Sequence, residues 1–259
     1  LQVKDRILRD GSNLSDEELA VRSWQELHER GYFQRHRLHR DWRVYNAMPQ
    51  WFMDLAKPTP EDDALEIGCG YGQWMIPLAP LVDSVTGIDI HEAPLAKARE
   101  LFRARRLSTA KVFLCDGLST GFSPRTFSLV YSISVMQHIP REIVRRYISE
   151  AAHLLIPGGR GLFHFRLADG RPGYVHDIDV SLIKEQSVGW TKEEIVKLAE
   201  RAGIPSTVTK IDPQSAILVL KAPIDAPTAP CDAFDRRAKD GQGNGTGSQG
   251  DQSGDGAHR

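Results

Sequence analysis

Between residues 64 and 165, short apolar runs alternate with stretches of helical periodicity, and that alternation limits the chain to few architectures. ALEIG (64–68), SVTGIDI (84–90), KVFLCD (111–116), FSLVYSIS (127–134) and GLFHF (161–165) are strand-length segments. Short apolar runs of this kind suit strands covered on both faces, as in a parallel sheet. Helical stretches are expected near 73–80, 93–106 and 141–156. The βαβα order predicts an α/β fold with a doubly wound sheet. After Gly189, WTKEEIVKLAERAGI predicts an amphipathic helix with Thr191 as N-cap, and two last strands are expected near 208–211 and 216–222.

The flanks differ in texture. Ser15-Asp16-Glu17-Glu18 has the form of a capping box, with Ser15 at N-cap and Glu18 at N3. Leu19, Trp24 and Leu27 follow at near-helical spacing, and Gly31 offers a stop. A second helix is expected over Trp42 to Lys57, its apolar face made by Val44, Met48, Trp51, Phe52 and Leu55, and ended by Pro58-Thr59-Pro60. From about Pro223 apolar residues nearly vanish, and GQGNGTGSQGDQSGDGAHR cannot bury enough surface to offset its ordering entropy. The expected organisation is therefore a helical segment over 1–60, a globular domain over 61–223 and a disordered tail over 224–259.

Composition removes several classes. Net charge is −1 and pI about 6.8, where a dedicated nucleic-acid binder is strongly basic. Cys69, Cys115 and Cys231 are odd in number and widely spaced, so neither a disulfide framework nor a zinc site is expected. No apolar run approaches the roughly 18–20 residues that span a bilayer. LQVKDRILRDG has no apolar signal-peptide core and no initiator Met, which reads as a trimmed or mid-frame start. A cytoplasmic monomer or homodimer is the expectation.

The segment Glu66-Ile67-Gly68-Cys69-Gly70-Tyr71-Gly72 follows a strand and opens a helix. Its glycines allow a tight turn and a close approach of backbone to ligand. Many nucleotide sites use such a turn, so the neighbours decide its meaning. A carboxylate at Glu66 would repel a pyrophosphate and favour an ammonium or sulfonium group. Asp89 and Ile90 lie about 20 residues further on, at the end of the second strand, where an acidic side chain meets ribose hydroxyls. Ser132 and Ile133 end the fourth strand, at the edge where ligands bind.

Together these segments resemble the class I S-adenosylmethionine-dependent methyltransferases, especially their small-molecule group. EIGCGYG is similar to the family's first motif and GIDI to its second. CDG (115–117) resembles the third, which implies that Asp116, with Gly117, contacts the adenine amino group. FSLVYSISVMQHIP (127–140) resembles the fourth, and LLIPGGRGLFHF (154–165) the turn and strand after it. The resemblance covers roughly residues 60 to 222. It implies a Rossmann-like seven-stranded sheet, S-adenosylmethionine as cofactor, and a cofactor site built by Glu66, Gly68, Cys69, Gly70, Gly72, Asp89, Ile90, Asp116, Gly117, Ser132 and Ile133. It also implies an N-terminal helical lid over the acceptor pocket.

Methyl transfer to an oxygen or nitrogen needs alignment and, for a protonated nucleophile, a base. His138, just past the fourth strand, is the candidate base; packing or capping of the next helix is the other reading. His164 on the fifth strand is a candidate acceptor contact or a satisfied core histidine. Tyr32, His36 and Arg40, in the arginine-rich stretch 32–45, are candidate acceptor contacts suited to an anionic or aromatic group, or else part of a solvated basic face. The segment 167–189 is long for a connection. It brings His176, Asp177 and Asp179 close in sequence, but no metal site is assigned. The expected partner is a small-molecule methyl acceptor, with neither nucleic acid nor membrane. A protein or RNA acceptor, or a non-catalytic cofactor-binding regulator of the same fold, is the alternative.

Overall fold

The computed structural model describes residues 14–29, 46–168, 174–175 and 187–225. Helix α1 (Asp16–Glu29) starts as its sequence predicts. The Ser15 hydroxyl accepts from the Glu18 N–H at 3.3 Å, and the Glu18 carboxylate accepts from the Ser15 N–H at 2.9 Å. Helix α2 (Gln50–Ala56) is shorter than the expected 42–57. Residues 42–45 lie outside the described residues, and residues 46–49 are not helical. Pro49 is the reason: it disfavours the helical region for Met48 and itself serves as N-cap with ψ 143°. The helix ends at Lys57, whose φ of +46° turns the chain before Pro58 is reached.

From there the elements alternate. Strand β1 (Asp63–Ile67) leads to α3 (Met75–Leu78) and a short 3-10 turn, and β2 (Ser84–Asp89) leads to α4 (Glu92–Ala104). Strands β3 (Ala110–Leu114) and β4 (Phe127–Ser132) precede α5 (Arg141–Leu154), which feeds β5 (Leu155–Arg166). A two-stranded pair, β6 (Tyr174–Val175) and β7 (Ser187–Val188), precedes α6 (Lys192–Ala202). Thr191 caps α6 in a full capping box with Glu194. Strands β8 (Ser206–Asp212) and β9 (Ser215–Lys221) form the closing hairpin.

Seven strands lie in the order β3-β2-β1-β4-β5-β9-β8. The first five are parallel, and β9 runs antiparallel to both β5 and β8. Strand order reverses between β1 and β4, so a crevice opens at their carboxyl ends.

Alternate residues of each strand feed two cores. Leu65, Ile67, Val130 and Phe163 pack with α1, α5 and α6. Ala64, Leu129, Tyr131 and Leu162 pack with α2, α3 and α4. Phe52 of α2 is fully buried and meets Tyr131 edge-on at 5.2 Å. At the amino edge of the sheet, Arg160 donates to both Asp62 oxygens, at 2.6 and 2.7 Å, and also to the main-chain oxygens of Ala56 and Lys57. One guanidinium thereby joins the end of α2, the entry to β1 and the middle of β5.

Candidate active site

Strand β1 delivers Glu66 and Ile67 to the crevice, and Gly68 turns the chain at φ +75°. A Cβ on Gly68 would lie 2.5 Å from a Val135 methyl, so the loop after β4 closes directly over the turn. Asp89 ends β2. Its Oδ2 accepts the Gly70 N–H at 2.8 Å and its Oδ1 the His91 N–H at 3.2 Å. Burial pushes the Asp89 carboxyl up to about 6, against the pull of these amides. Glu66 is 1% exposed and accepts the Tyr131 hydroxyl proton at 3.1 Å. Its carboxyl lies well above the usual range, first through burial and further through the nearby Asp89 charge.

These groups wall a cavity of about 430 Å³ that also takes in Cys69, Ile90, Cys115, Gly117, Ile133 and His138. Among the described residues no Lys or Arg lines it. Two buried carboxylates without a facing cation suit a ligand carrying positive charge and hydroxyl donors, and do not suit a pyrophosphate. That is the chemistry of S-adenosylmethionine, so the residues present fit the expected cofactor. The volume lies within the usual range of about 300–1,000 Å³ for small-ligand sites.

Three members of the expected cofactor set stand elsewhere. Asp116 is exposed and does not line the cavity; its Oδ1 accepts the Leu118 and Ser119 amides at 2.7 and 2.8 Å, a local turn that a short carboxylate makes readily. Ser132 is fully buried and donates to the Ile67 oxygen at 2.8 Å, joining β4 to β1 behind the wall. Gly72 packs under α4, where a Cβ would fall 2.5 Å from the Phe102 ring. The remaining eight, Glu66, Gly68, Cys69, Gly70, Asp89, Ile90, Gly117 and Ile133, all line the cavity.

Ala20, Val21 and Trp24 of α1 wall the same cavity as Glu66 and Asp89. Gln25 fastens the helix by donating to the Ile90 oxygen at 3.2 Å. In the sequence Trp24 is one residue of an apolar helix face and nothing singles out Val135, yet both wall the cavity, as do Tyr71 and Trp74. For Tyr71 and Trp74 the signal was available, since both flank the glycine turn.

His138 lines the cavity, and its main-chain N–H donates to the main-chain oxygen of Val135 at 2.8 Å. His164 is 7% exposed, does not line the cavity, and accepts the Ser134 N–H at Nδ1 over 3.3 Å. Its ring stacks on Trp51 at 6.2 Å. Burial holds His164 down to about 4; the Arg166 and His138 charges act the same way and Asp212 opposes them. Tyr32, His36, Arg40, His176, Asp177, Asp179 and the tail from 226 lie outside the described residues. Among the described residues no His, Cys, Asp and Glu cluster could hold a metal, and no helix is long and apolar enough to cross a membrane.

A doubly wound sheet whose first two strands end in buried acids around a glycine turn defines a nucleoside-cofactor-binding α/β domain. Residues 64–159 match the family described as Methyltransferase domain. The chain is 31% identical over 197 residues to nocamycin O-methyltransferase of Saccharothrix syringae, covering 73% of this chain and 63% of that protein. It is 31% identical over 124 residues to aklanonic acid methyltransferase of Streptomyces, covering 46% and 54% respectively. It thus spans less than two thirds of the length of either relative. In fold it is similar to an S-adenosylmethionine-dependent methyltransferase of Methanosarcina mazei, with TM-score 0.56 and 19% identity over 69% of this chain and 100% of the other. Residues 64–159 thus hold a match to a methyltransferase domain, within a fold shared with an S-adenosylmethionine-dependent methyltransferase.

Proposed function

We propose that this protein is a methyltransferase that transfers the methyl group of S-adenosylmethionine to a hydroxyl oxygen of a small, acidic acceptor. The observation that carries the reading is the cavity itself, walled by the buried carboxyls of Glu66 and Asp89 and by His138. The bound cofactor supplies an electrophilic methyl on a sulfonium that leaves as a neutral thioether. No acid is then required, and the work left to the chain is alignment and proton removal. In this reading His138, in the cavity wall, takes the acceptor's proton. Asp89 offers carboxylate oxygens to ribose hydroxyls, and Glu66 provides counter-charge for the cofactor's cationic end.

The oxygen, rather than a nitrogen, is supported by the relatives named above: one is an O-methyltransferase, and the other's name makes its acceptor an acid. Trp24, Tyr71 and Trp74 give the cavity aromatic faces suited to a flat acceptor or to the adenine ring. Calorimetric titration with S-adenosylmethionine, S-adenosylhomocysteine and NAD tests the cofactor half. Binding of the first two and not of NAD is expected; binding of neither sulfur compound by folded protein would defeat the reading. Incubation of the labelled cofactor with a panel of phenolic and enolic acids, beside a panel of amines, tests the acceptor half.

A further inference from the structure

We propose that His164 is a fixed hydrogen-bond donor on the acceptor side, its Nε2–H holding an oxygen that neighbours the hydroxyl to be methylated. The inference rests on the methyltransferase reading and narrows its substrate class to hydroxyls flanked by a carbonyl or carboxylate oxygen.

Strands β4 and β5 are parallel neighbours with Ser132 opposite Phe163, so the chain just past β4 and His164 reach the same carboxyl edge of the sheet. Ser134, held at φ +62°, lines the cavity and donates its N–H to Nδ1 of His164. A neutral imidazole that accepts at Nδ1 carries its proton at Nε2. Nε2 has no hydrogen-bond partner among the described residues, although the residue is more than nine-tenths buried. Trp51 of α2 lies nearly parallel to the ring, with centroids 6.2 Å apart. Burial first, and then the Arg166 guanidinium, hold the ring uncharged; Asp212 opposes them, and the His138 imidazole is the other titratable group facing it. A ring in that state is no base. It is a fixed donor beside a cavity residue, and it suits an oxygen that bears partial or full negative charge. His138 and His164 then divide the work: one exchanges a proton, and the other orients.

The test uses the full chain saturated with S-adenosylhomocysteine, labelled with ¹⁵N at histidine, with salicylate and phenol as probes. Salicylate carries a carboxylate beside its hydroxyl, and phenol lacks it. The signal lost in His164→Gln assigns the ring. An Nε2–H, non-titrating ring between about pH 5.5 and 8 is expected, and salicylate is expected to shift its Nε2–H resonance. His164→Asn keeps an acceptor near the Nδ1 position but loses the donor, whereas His164→Gln carries an amide N–H near the Nε2 position. The preference for salicylate over phenol should fall on the order of tenfold in His164→Asn and be largely restored in His164→Gln, with S-adenosylhomocysteine affinity unchanged in both. An Nδ1–H ring, titration near the ordinary histidine value, an unshifted signal with salicylate present, or Gln behaving no better than Asn would each overturn the assignment. Failure to bind S-adenosylhomocysteine, seen separately by calorimetry, would overturn the methyltransferase reading and the acceptor role with it.

Discussion

Trp24 of α1 donates its indole N–H to the main-chain oxygen of His138 at 2.5 Å, and its ring meets the His138 imidazole edge-on at 5.4 Å. A helix that begins the described chain is thus tied to the loop that follows β4, a separation of 114 residues. The consequence is that cofactor wall and candidate base move together. Trp24→Phe keeps the aromatic contact and removes the donor, leaving a part-buried carbonyl short of a partner. A stability loss of about 1 kcal/mol is expected, together with several-fold weaker S-adenosylhomocysteine binding. Thermal unfolding with and without the cofactor product checks both; unchanged affinity would show that the helix is not coupled to the site.

Asp89 holds the glycine turn through the Gly70 amide as well as facing the cavity. Asp89→Ala removes a carboxylate acceptor and orphans that amide, so cofactor affinity should fall by roughly 1.5–3 kcal/mol, about ten- to a hundredfold. Calorimetry reads the change directly, and wild-type affinity would end the ribose assignment.

The same carboxylate sets a pH dependence. Its value in the folded chain is about 6, above the ordinary 3.8. Ribose hydroxyls donate best to the ionised form, so affinity should rise as pH increases through about 6 and level off above it, with a slope of up to about one decade per pH unit. Glu66, also raised, should lose a proton when the cationic cofactor arrives. Titrations of S-adenosylmethionine in two buffers of different ionisation enthalpy would reveal that release; equal apparent enthalpies would exclude it.

His138→Ala should lower kcat by about a hundredfold or more if the imidazole removes the acceptor proton, while cofactor binding changes little. A wild-type rate with a confirmed acceptor would mean that the acceptor arrives ionised and His138 only packs against Trp24.

The ion pair at the opposite edge controls acid stability. Burial alone would raise the Asp62 carboxyl, but Arg160, Ser128 and the Thr59 amide outweigh it and hold it at about 2, below the ordinary 3.8. A depressed folded value stabilises the fold above the unfolded value and ceases to as pH falls. About 2 kcal/mol should therefore be present above pH about 4 and be lost toward pH 2. Urea unfolding across that window should show the loss in the parent chain. Arg160→Met should be less stable by about 3–5 kcal/mol near neutral pH, because Asp62 stays buried without its partner; a smaller slope with acid is also expected there.

How much of this was legible in the sequence follows the range of the interactions involved. The succession of strands and helices along the chain, the glycine turn, Thr191 as cap, and Glu66 and Asp89 at strand ends depend on periodicity and turn chemistry over a few residues, and a sequence displays those directly. The departures arose where a residue's partner lies far along the chain or where two local chemistries compete. Asp116 accepts two amides of its own turn and stands outside the cavity lining, a placement its motif alone does not display. Ser132 and Gly72 sit in the right motifs, but their neighbours Ile67 and Phe102 turn them to sheet and helix packing. Trp24 looked like any apolar helix residue until α1 came down on the crevice. His164 is visible as a histidine on the fifth strand, but the donor at its Nδ1, and hence its tautomer, depends on Ser134 arriving from the loop after β4. The sequence by itself determined the sheet, the turn and the acidic ends that suit a cationic nucleoside cofactor. Only the tertiary structure decided which motif residues face the cavity and what closes it, because those outcomes are set by contacts between segments that local pattern does not relate.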